Sequence, residues 1–272
     1  MINNTRDKNG CAQPNVQSKF SKVRTALNIS EVVKKPFVKN SNHVFRESLR
    51  VRNLSANRLI NSLNIEDFAR LEPYLESVSL SFGKSLYQPQ DHISYIYFPE
   101  SAVMSNLQML EDGRTVEIAM TGKEGLIGLS SIFNSRSAVD WTEVIVAGNA
   151  LKLNAQIFKQ EFNLSTSLQS SIFIYANSYI EQISRRVICN NYHQIKERFC
   201  SWLLMLQNRN GGSKFSLTQE QIARFLGVHR PSISFVANEL REKKIIDYRR
   251  GQIIILNHQA LEKSTCSCFC SI

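Results

Sequence analysis

The spacing of apolar residues changes along the chain, and each change predicts a different element. In NRLINSLNIEDFARLEPYL (57–75), Leu59, Ile60, Leu63, Phe68, Leu71 and Leu75 recur at helical spacing. They predict two short amphipathic helices, the second capped by Asn64 with Asp67 three residues on. From Glu76 to Phe162 the texture is SVSLSF, SYIYFP, AVMSNLQML, TVEIAMT, TEVIVAG and ALKLN, broken by FGK, PQD, EDGR and TGKEG. Short β-branched or aromatic runs between turn signals predict an antiparallel sandwich, jelly roll or barrel, with a hairpin at 111–114 where Gly113 takes positive φ. Residues 163–190 read as one long helix with a stripe of Leu168, Ile172, Tyr175, Tyr179, Ile183 and Val187. Such a stripe packs either on its own domain or on a second copy of itself, and a helix this long between two domains favours the copy.

After Tyr192 the order is helix (195–209), a break at GGSKF, a capped helix (217–227), a turn with a longer helix (228–246), and a hairpin around Arg250-Gly251. The expected fold class is α+β. A jelly-roll-like antiparallel β-roll (56–162) is expected first, a long helix read as a dimerisation helix follows (163–191), and a winged helix-turn-helix completes the fold (192–262). A basic, disordered extension (1–55) and a cysteine-containing tail (263–272) flank them.

Charge sharpens this division. The 272 residues carry a formal net charge of +10. Residues 1–50 hold ten Lys/Arg against three Asp/Glu, residues 51–190 eleven against fourteen, and residues 191–272 twelve against six. A basic terminal domain beside a slightly acidic one suits a polyanion partner, nucleic acid before membrane, although basic residues also solvate ordinary surfaces. The basic N-terminal segment reads as a flexible arm; a tail touching DNA backbone and a transit peptide are the alternatives. No apolar stretch reaches the roughly 18–20 residues that cross a bilayer, and no apolar segment near the start suits a secretory signal. Six cysteines in a chain of this size are no disulfide scaffold, so a reducing cytoplasm is the expected setting.

The densest chemical signal is LTQEQIARFLGVHRPSISFVANELREKKIIDYRRGQIIIL. Thr218 caps a helix that buries Ile222, Ala223 and Leu226. Gly227 allows the positive φ of a tight turn, and Val228 plugs it. Pro231 is tolerated in the first turn of the next helix, whose buried stripe is Ile233, Val236 and Leu240. Arg230, Ser232, Ser234 and Phe235 are left at the exposed N-terminal end, the part of a recognition helix that enters the major groove. Arg230 can hold both acceptors of a guanine or a phosphate. Ser232 and Ser234 are short donors, and Thr218 and Gln219 can meet phosphate at a helix start. Arg249 and Arg250 form the wing tip, and His229 fills the turn or touches phosphate. The plain alternative is a helical hairpin that only packs. The glycine turn, buried stripe and basic wing occurring together in order argue against it.

At this point residues 57–262 resemble the Crp/Fnr regulators, and VEIAMTGKEGLIGLSSIF (116–133) is similar to that family's ligand cassette. The resemblance implies a homodimer on a palindromic operator of double-stranded DNA, contact with RNA polymerase in an activator, and an effector pocket around Gly125, Gly128, Leu129 and Ser130. Cyclic-nucleotide binders of the family carry a glutamate after the cassette glycine and an Arg-Ser pair before the next strand. Here Leu129 follows Gly128, Arg136-Ser137 falls in the preceding loop, and Trp141-Thr142 takes the pair's place, so tight binding of cyclic AMP is not expected. Oxygen-sensing relatives hold an iron–sulfur cluster through four cysteines, mostly near the N-terminus. Cys11 stands alone there, so that cofactor is not expected either. Cys189 and Cys200 read as buried packing residues. Cys266, Cys268 and Cys270 read as an unstructured tail whose C-x-C spacing is a weak zinc signal, and no metal site is assigned.

Two other classes compete. A cupin-like enzyme would need a histidine cluster, and His43, His92, His193, His229 and His258 are scattered; no nucleophile elbow or phosphate loop stands out. A sensor acting through protein partners, with a weak DNA domain, is the second.

Overall fold

The computed structural model describes residues 55–133 and 137–268. The basic extension, Cys11, Arg136 and Cys270 lie outside the described residues. The chain opens with α1 (Arg58–Asn61) and α2 (Ile65–Leu71), capped by Asn57 and Asn64. The Asn64 side chain accepts from the Asp67 amide at 2.7 Å, as its position predicts.

Among the described residues seven strands follow: β1 (Glu76–Leu80), β2 (Ser85–Tyr87), β3 (Tyr95–Pro99), β4 (Val103–Met109), β5 (Thr115–Thr121), β6 (Trp141–Val146) and β7 (Gly148–Asn154). They form antiparallel sheets of order β1-β7-β3 and β2-β6-β4-β5. Residues of both sheets share one core with the helices: Leu80, Ile96, Phe98, Met104, Val144 and Leu153 pack with Leu71 and Phe158. The β4–β5 hairpin turns at Gly113, with φ 83°.

The second sheet is buried on both faces. Met104 and Val144 point into the roll. Val103, Leu107, Met120 and Ile145 instead join the core of the C-terminal domain. That double burial is why AVMSNLQML and TEVIVAG read as nearly continuous apolar runs and not as strict alternation.

Two helices replace the single one expected over 163–190. The first, α3 (Ala155–Leu164), occupies residues assigned to strand texture, and α4 runs Thr166–Tyr192. Ser165 separates them in extended conformation and caps α4 by accepting from the Leu168 amide. The buried face of α3, Ala155, Phe158 and Phe162, has helical spacing, but it follows ALKLN without a break and merges into its apolar run.

The C-terminal domain comprises α5 (Ile195–Asn210), β8 (Lys214–Ser216), α6 (Gln219–Leu226), α7 (Arg230–Glu242), β9 (Ile246–Arg249), β10 (Gln252–Ile255) and α8 (His258–Glu262). GGSKF, read as a break, contains β8, which pairs with β10 and makes the wing a three-stranded sheet of order β8-β10-β9. The segment after α8 is no loose tail as far as residue 268: Cys266 is buried. Among the described residues no helix is long and apolar enough to cross a membrane.

Candidate nucleic-acid interface and ligand cavity

The α6–turn–α7 unit is built by capping and burial. Thr218 Oγ1 accepts from the Gln221 amide at 3.2 Å, and the Gln221 side chain accepts from the Thr218 amide at 2.8 Å, a reciprocal capping box. Gly227 closes α6 at φ 63°, donating back to Ala223 and Arg224 carbonyls. A side chain there would be strained by φ and would press on Val116 of β5 at 3.1 Å. Ile222, Ala223, Leu226, Ile233, Val236 and Leu240 are buried between the helices.

Arg230 begins α7 and is exposed. It lines an open hollow of about 430 Å³ with Thr218, Gln219, Glu220, Tyr248, Arg250 and Gly251, so the recognition-helix start and the wing tip face one space. Tyr248 fixes that arrangement: its hydroxyl donates to the Leu217 carbonyl at 2.7 Å. Arg249 is exposed and pairs with Asp247 at 3.2 Å, while Arg250 takes φ 50° at the hairpin tip. His229 is exposed at the α7 N-cap and makes no side-chain cap, and Ser232 is half-buried.

Three assignments shift. The Ser234 hydroxyl donates to Gln219 Oε1, so these two side chains tie α7 to α6. The Thr218 hydroxyl is engaged in the capping box. Their role is to hold the motif's geometry, with the Gln219 amide donors still available. The sequence reading also passed over Asn238, which is exposed on α7 beyond Phe235, itself 74% exposed. An exposed aromatic next to a groove-reading arginine suits a thymine methyl, and an asparagine suits adenine. At the far end of α7, Lys196 and Lys243 both pair with Glu239 at 2.6 Å.

Apart from Val187 at its end, which is exposed, the stripe read as a dimer seam is the inward face of α4. Leu168, Ile172 and Tyr175 are buried in the roll's own core, Tyr179 packs against it and Ile183 is half-buried. The exposed apolar residues of α4 are Phe173, Ile174, Ile180, Val187 and Ile188. Helix α4 carries two heptad-like stripes about 100° apart, and the one with the larger aromatics is covered by the roll.

Gly125 belongs to the same packing. Its amide region abuts the Tyr175 ring so closely that an added Cβ would lie 2.2 Å from it, and the Tyr175 hydroxyl donates to the Leu126 carbonyl at 2.9 Å. It is a close-approach glycine and does not line the neighbouring cavity. Gly128, Leu129 and Ser130 do line a cavity of about 260 Å³, with Tyr87, Asn106, Asp140, Thr142 and Tyr179 among its other walls. Thr142, placed by sequence where the family's pair belongs, is in that lining. Among the described residues the lining has one carboxylate, Asp140, and no Lys or Arg. Burial pushes the Asp140 carboxyl above its usual range, partly offset by hydrogen bonds from Gln108 and Asn106.

The roll and the helix-turn-helix meet through buried charge. Glu117 of β5 is fully buried; it accepts from the Ser105 hydroxyl at 2.8 Å and the Trp202 indole at 3.1 Å, and pairs with Arg186 of α4. Burial pushes the Glu117 carboxyl up, and Arg186, Ser105 and Trp202 pull part of that back. Arg224 of α6 grips Glu143 of β6 through one nitrogen at 2.7 and 2.8 Å. Arg209 of α5 donates to the Met120 carbonyl at 3.1 Å and to Glu124 at 2.7 Å. The second sheet of the roll is therefore in direct contact with α4, α5 and α6.

The sequence profile of the Crp-like helix-turn-helix domain matches residues 197–264. The anaerobic regulatory protein of Bacillus subtilis is 20% identical over 170 residues, covering 60% of this chain and 71% of its own. A transcriptional regulator of the Crp/Fnr family from Eubacterium rectale shares the fold at TM-score 0.61 and 18% identity, over 76% of this chain and 97% of its own. FixK2 from Bradyrhizobium japonicum does so at TM-score 0.61 and 16% identity, over 71% and 98%.

Proposed function

We propose that this chain, a Crp/Fnr-type transcription regulator with a helix-turn-helix DNA-binding domain, works as a homodimer on a two-fold symmetric DNA site. Its β-roll cavity receives a small molecule other than a cyclic nucleotide. The observation that carries the reading is the exposed Arg230 end of α7 sharing one open face with the Arg250 wing tip. A helix end of this kind inserts into the major groove while the wing tip rests on backbone phosphate. Mobility-shift titration against genomic fragments tests it: the expected result is saturable binding to a few fragments, weakening steeply with salt. A sensor working only through protein partners would leave all fragments alike.

Dimerisation follows from the uncovered stripe of α4. Phe173, Ile180 and Val187, seven residues apart on one helix, are each more than half exposed, and an apolar stripe of that length is stabilised by a partner helix. Ile180→Glu sets two like charges near each other across the two-fold axis. It should weaken self-association at least about tenfold, or on the order of 1.4 kcal/mol, as read by sedimentation velocity. An unchanged dimer would remove α4 from the interface.

The cavity's chemistry disfavours a cyclic nucleotide. A buried cyclic phosphate needs a cationic or multiple N–H counterpart, and the described lining offers Asp140 instead. Calorimetric titration with cyclic AMP should show no saturable heat in the micromolar range; a micromolar site would overturn this part of the reading.

A further inference from the structure

Cys189, His193, Cys266 and Cys268 converge at the junction of α4 with the chain segment that follows α8. One ligand atom from each lies within 4.8 Å of all the others. Cys189 Sγ is 3.5 Å from Cys266 Sγ, and Cys268 Sγ is 3.8 Å from His193 Nδ1. We propose that these four side chains form a structural zinc site that clamps the end of the long helix to the C-terminal segment of the DNA-binding domain.

The geometry has the right scale. Zinc holds thiolate sulfur at about 2.3 Å and imidazole nitrogen at about 2.0–2.1 Å, so the edges of its tetrahedron are about 3.8 Å between sulfurs and about 3.6 Å from sulfur to nitrogen. The Cys189–Cys266 and Cys268–His193 separations are close to those edges, and the remaining ones lie within 4.8 Å. A disulfide needs its sulfurs at about 2.05 Å, and the four Cys described are free thiols. The local sequence suits the donors as well. Cys189 and His193 are one turn apart at the end of α4, where the His193 amide donates to the Cys189 carbonyl at 3.2 Å. Cys189 and Cys266 are buried, and Cys268 and His193 are half-buried, so the site is nearly closed. Nothing else in the fold explains why three thiols and an imidazole should be gathered there.

Charge is accommodated too. As the metal–sulfur bonds form, each of the three thiols gives up its proton to solvent, with no change of oxidation state. Zinc with three thiolates and a neutral imidazole leaves one negative charge. Arg185, Arg186 and Arg198 line a small hollow of about 20 Å³ together with Cys189 and Cys268. The Arg198 Nε is buried and has no hydrogen-bond partner, so an anionic cluster beside it satisfies a cation the protein alone leaves incomplete. The consequence is mechanical. The hinge between α4 and α5 lies at His193-Gln194, and a metal bonded to His193 and to the segment behind α8 would fix the reading domain relative to that hinge.

The test is metal analysis of the full-length protein, purified under reducing conditions with a tag free of histidine. The proposal expects about one zinc per chain, and cobalt exchange giving the absorption of tetrahedral cobalt bound to thiolate. Cys268→Ser, at a half-buried position, should drop the metal content about tenfold or more. Cys200→Ser, in the core but outside the cluster, should retain it. Metal-free protein with all thiols titratable would overturn the site, as would a mapped Cys189–Cys266 disulfide or a stoichiometric iron–sulfide content. If Cys268→Ser fails to fold, the wild-type stoichiometry and cobalt spectrum still decide.

Discussion

Replacing Arg230 by alanine should weaken binding to the cognate DNA about 5- to 150-fold per half-site, that is about 1–3 kcal/mol. The side chain is exposed at the first residue of α7, and its neighbours Thr218 and Ser234 are held by capping and by Gln219. On the proposed function Arg230 would enter a groove from a rigid base, so little would be lost in ordering it. Arg230→Lys keeps the charge but loses the planar fork, so it should recover nonspecific affinity without recovering sequence preference. Arg250→Ala is expected to act differently. A wing-tip contact to phosphate should weaken all sequences alike and lower the slope of log affinity against log salt by about one per half-site. Competition titrations with cognate and scrambled DNA at several salt concentrations separate the two behaviours.

Glu117→Ala should lower folding stability by about 3–5 kcal/mol, because it strands buried charge. Arg186, only 11% exposed, loses its partner, and the Trp202 indole and Ser105 hydroxyl lose their acceptor. In a unit of this size that is a fall of about 6–20 °C in Tm. The pair itself is not a net source of stability, since the burial that raises the Glu117 pKa is the cost of holding it ionised. Two consequences follow. The double change Glu117→Leu with Arg186→Met should recover the part of the loss due to the stranded Arg186 charge, while the Trp202 and Ser105 donors still lack their acceptor. The native protein should also lose some stability as pH rises through the carboxylate range. With its folded pKa above the unfolded one, Glu117 keeps its proton longer in the folded state, so the folded chain binds more protons in that window and stability falls with pH. Glu117→Ala should flatten that part of the profile, as followed by denaturant titration across pH.

The reading unit was the most legible part of the chain, because its signals are local. Thr218 with Gln221, Gly227, Pro231 and the Ile233–Val236–Leu240 stripe each specify geometry within a few residues. The roll was legible as strand texture, and its doubly buried sheet explains the runs that did not alternate. The misreadings are of three physical kinds. Helix α4 carries two apolar stripes, and sequence has no means of knowing that the roll covers Tyr175 and leaves Ile180 bare. Gly125 sits in a family-like cassette, but what it serves is the approach of a ring fifty residues away. Cys189 and Cys266, 77 positions apart, meet only because the chain returns to the end of α4 after the wing. In each case the deciding contact is long-range, and no local spacing encodes it.

The central claim is that α7 and the wing read a defined DNA sequence from a two-fold symmetric dimer. Footprinting of the full-length protein on fragments selected from genomic DNA tests it most directly. The account predicts two protected half-sites of inverted sequence, their centres about one helical turn or a multiple of it apart. Guanine contacts in each should disappear in Arg230→Ala. Uniform protection without sequence preference, or a single protected segment with no inverted partner, would contradict it.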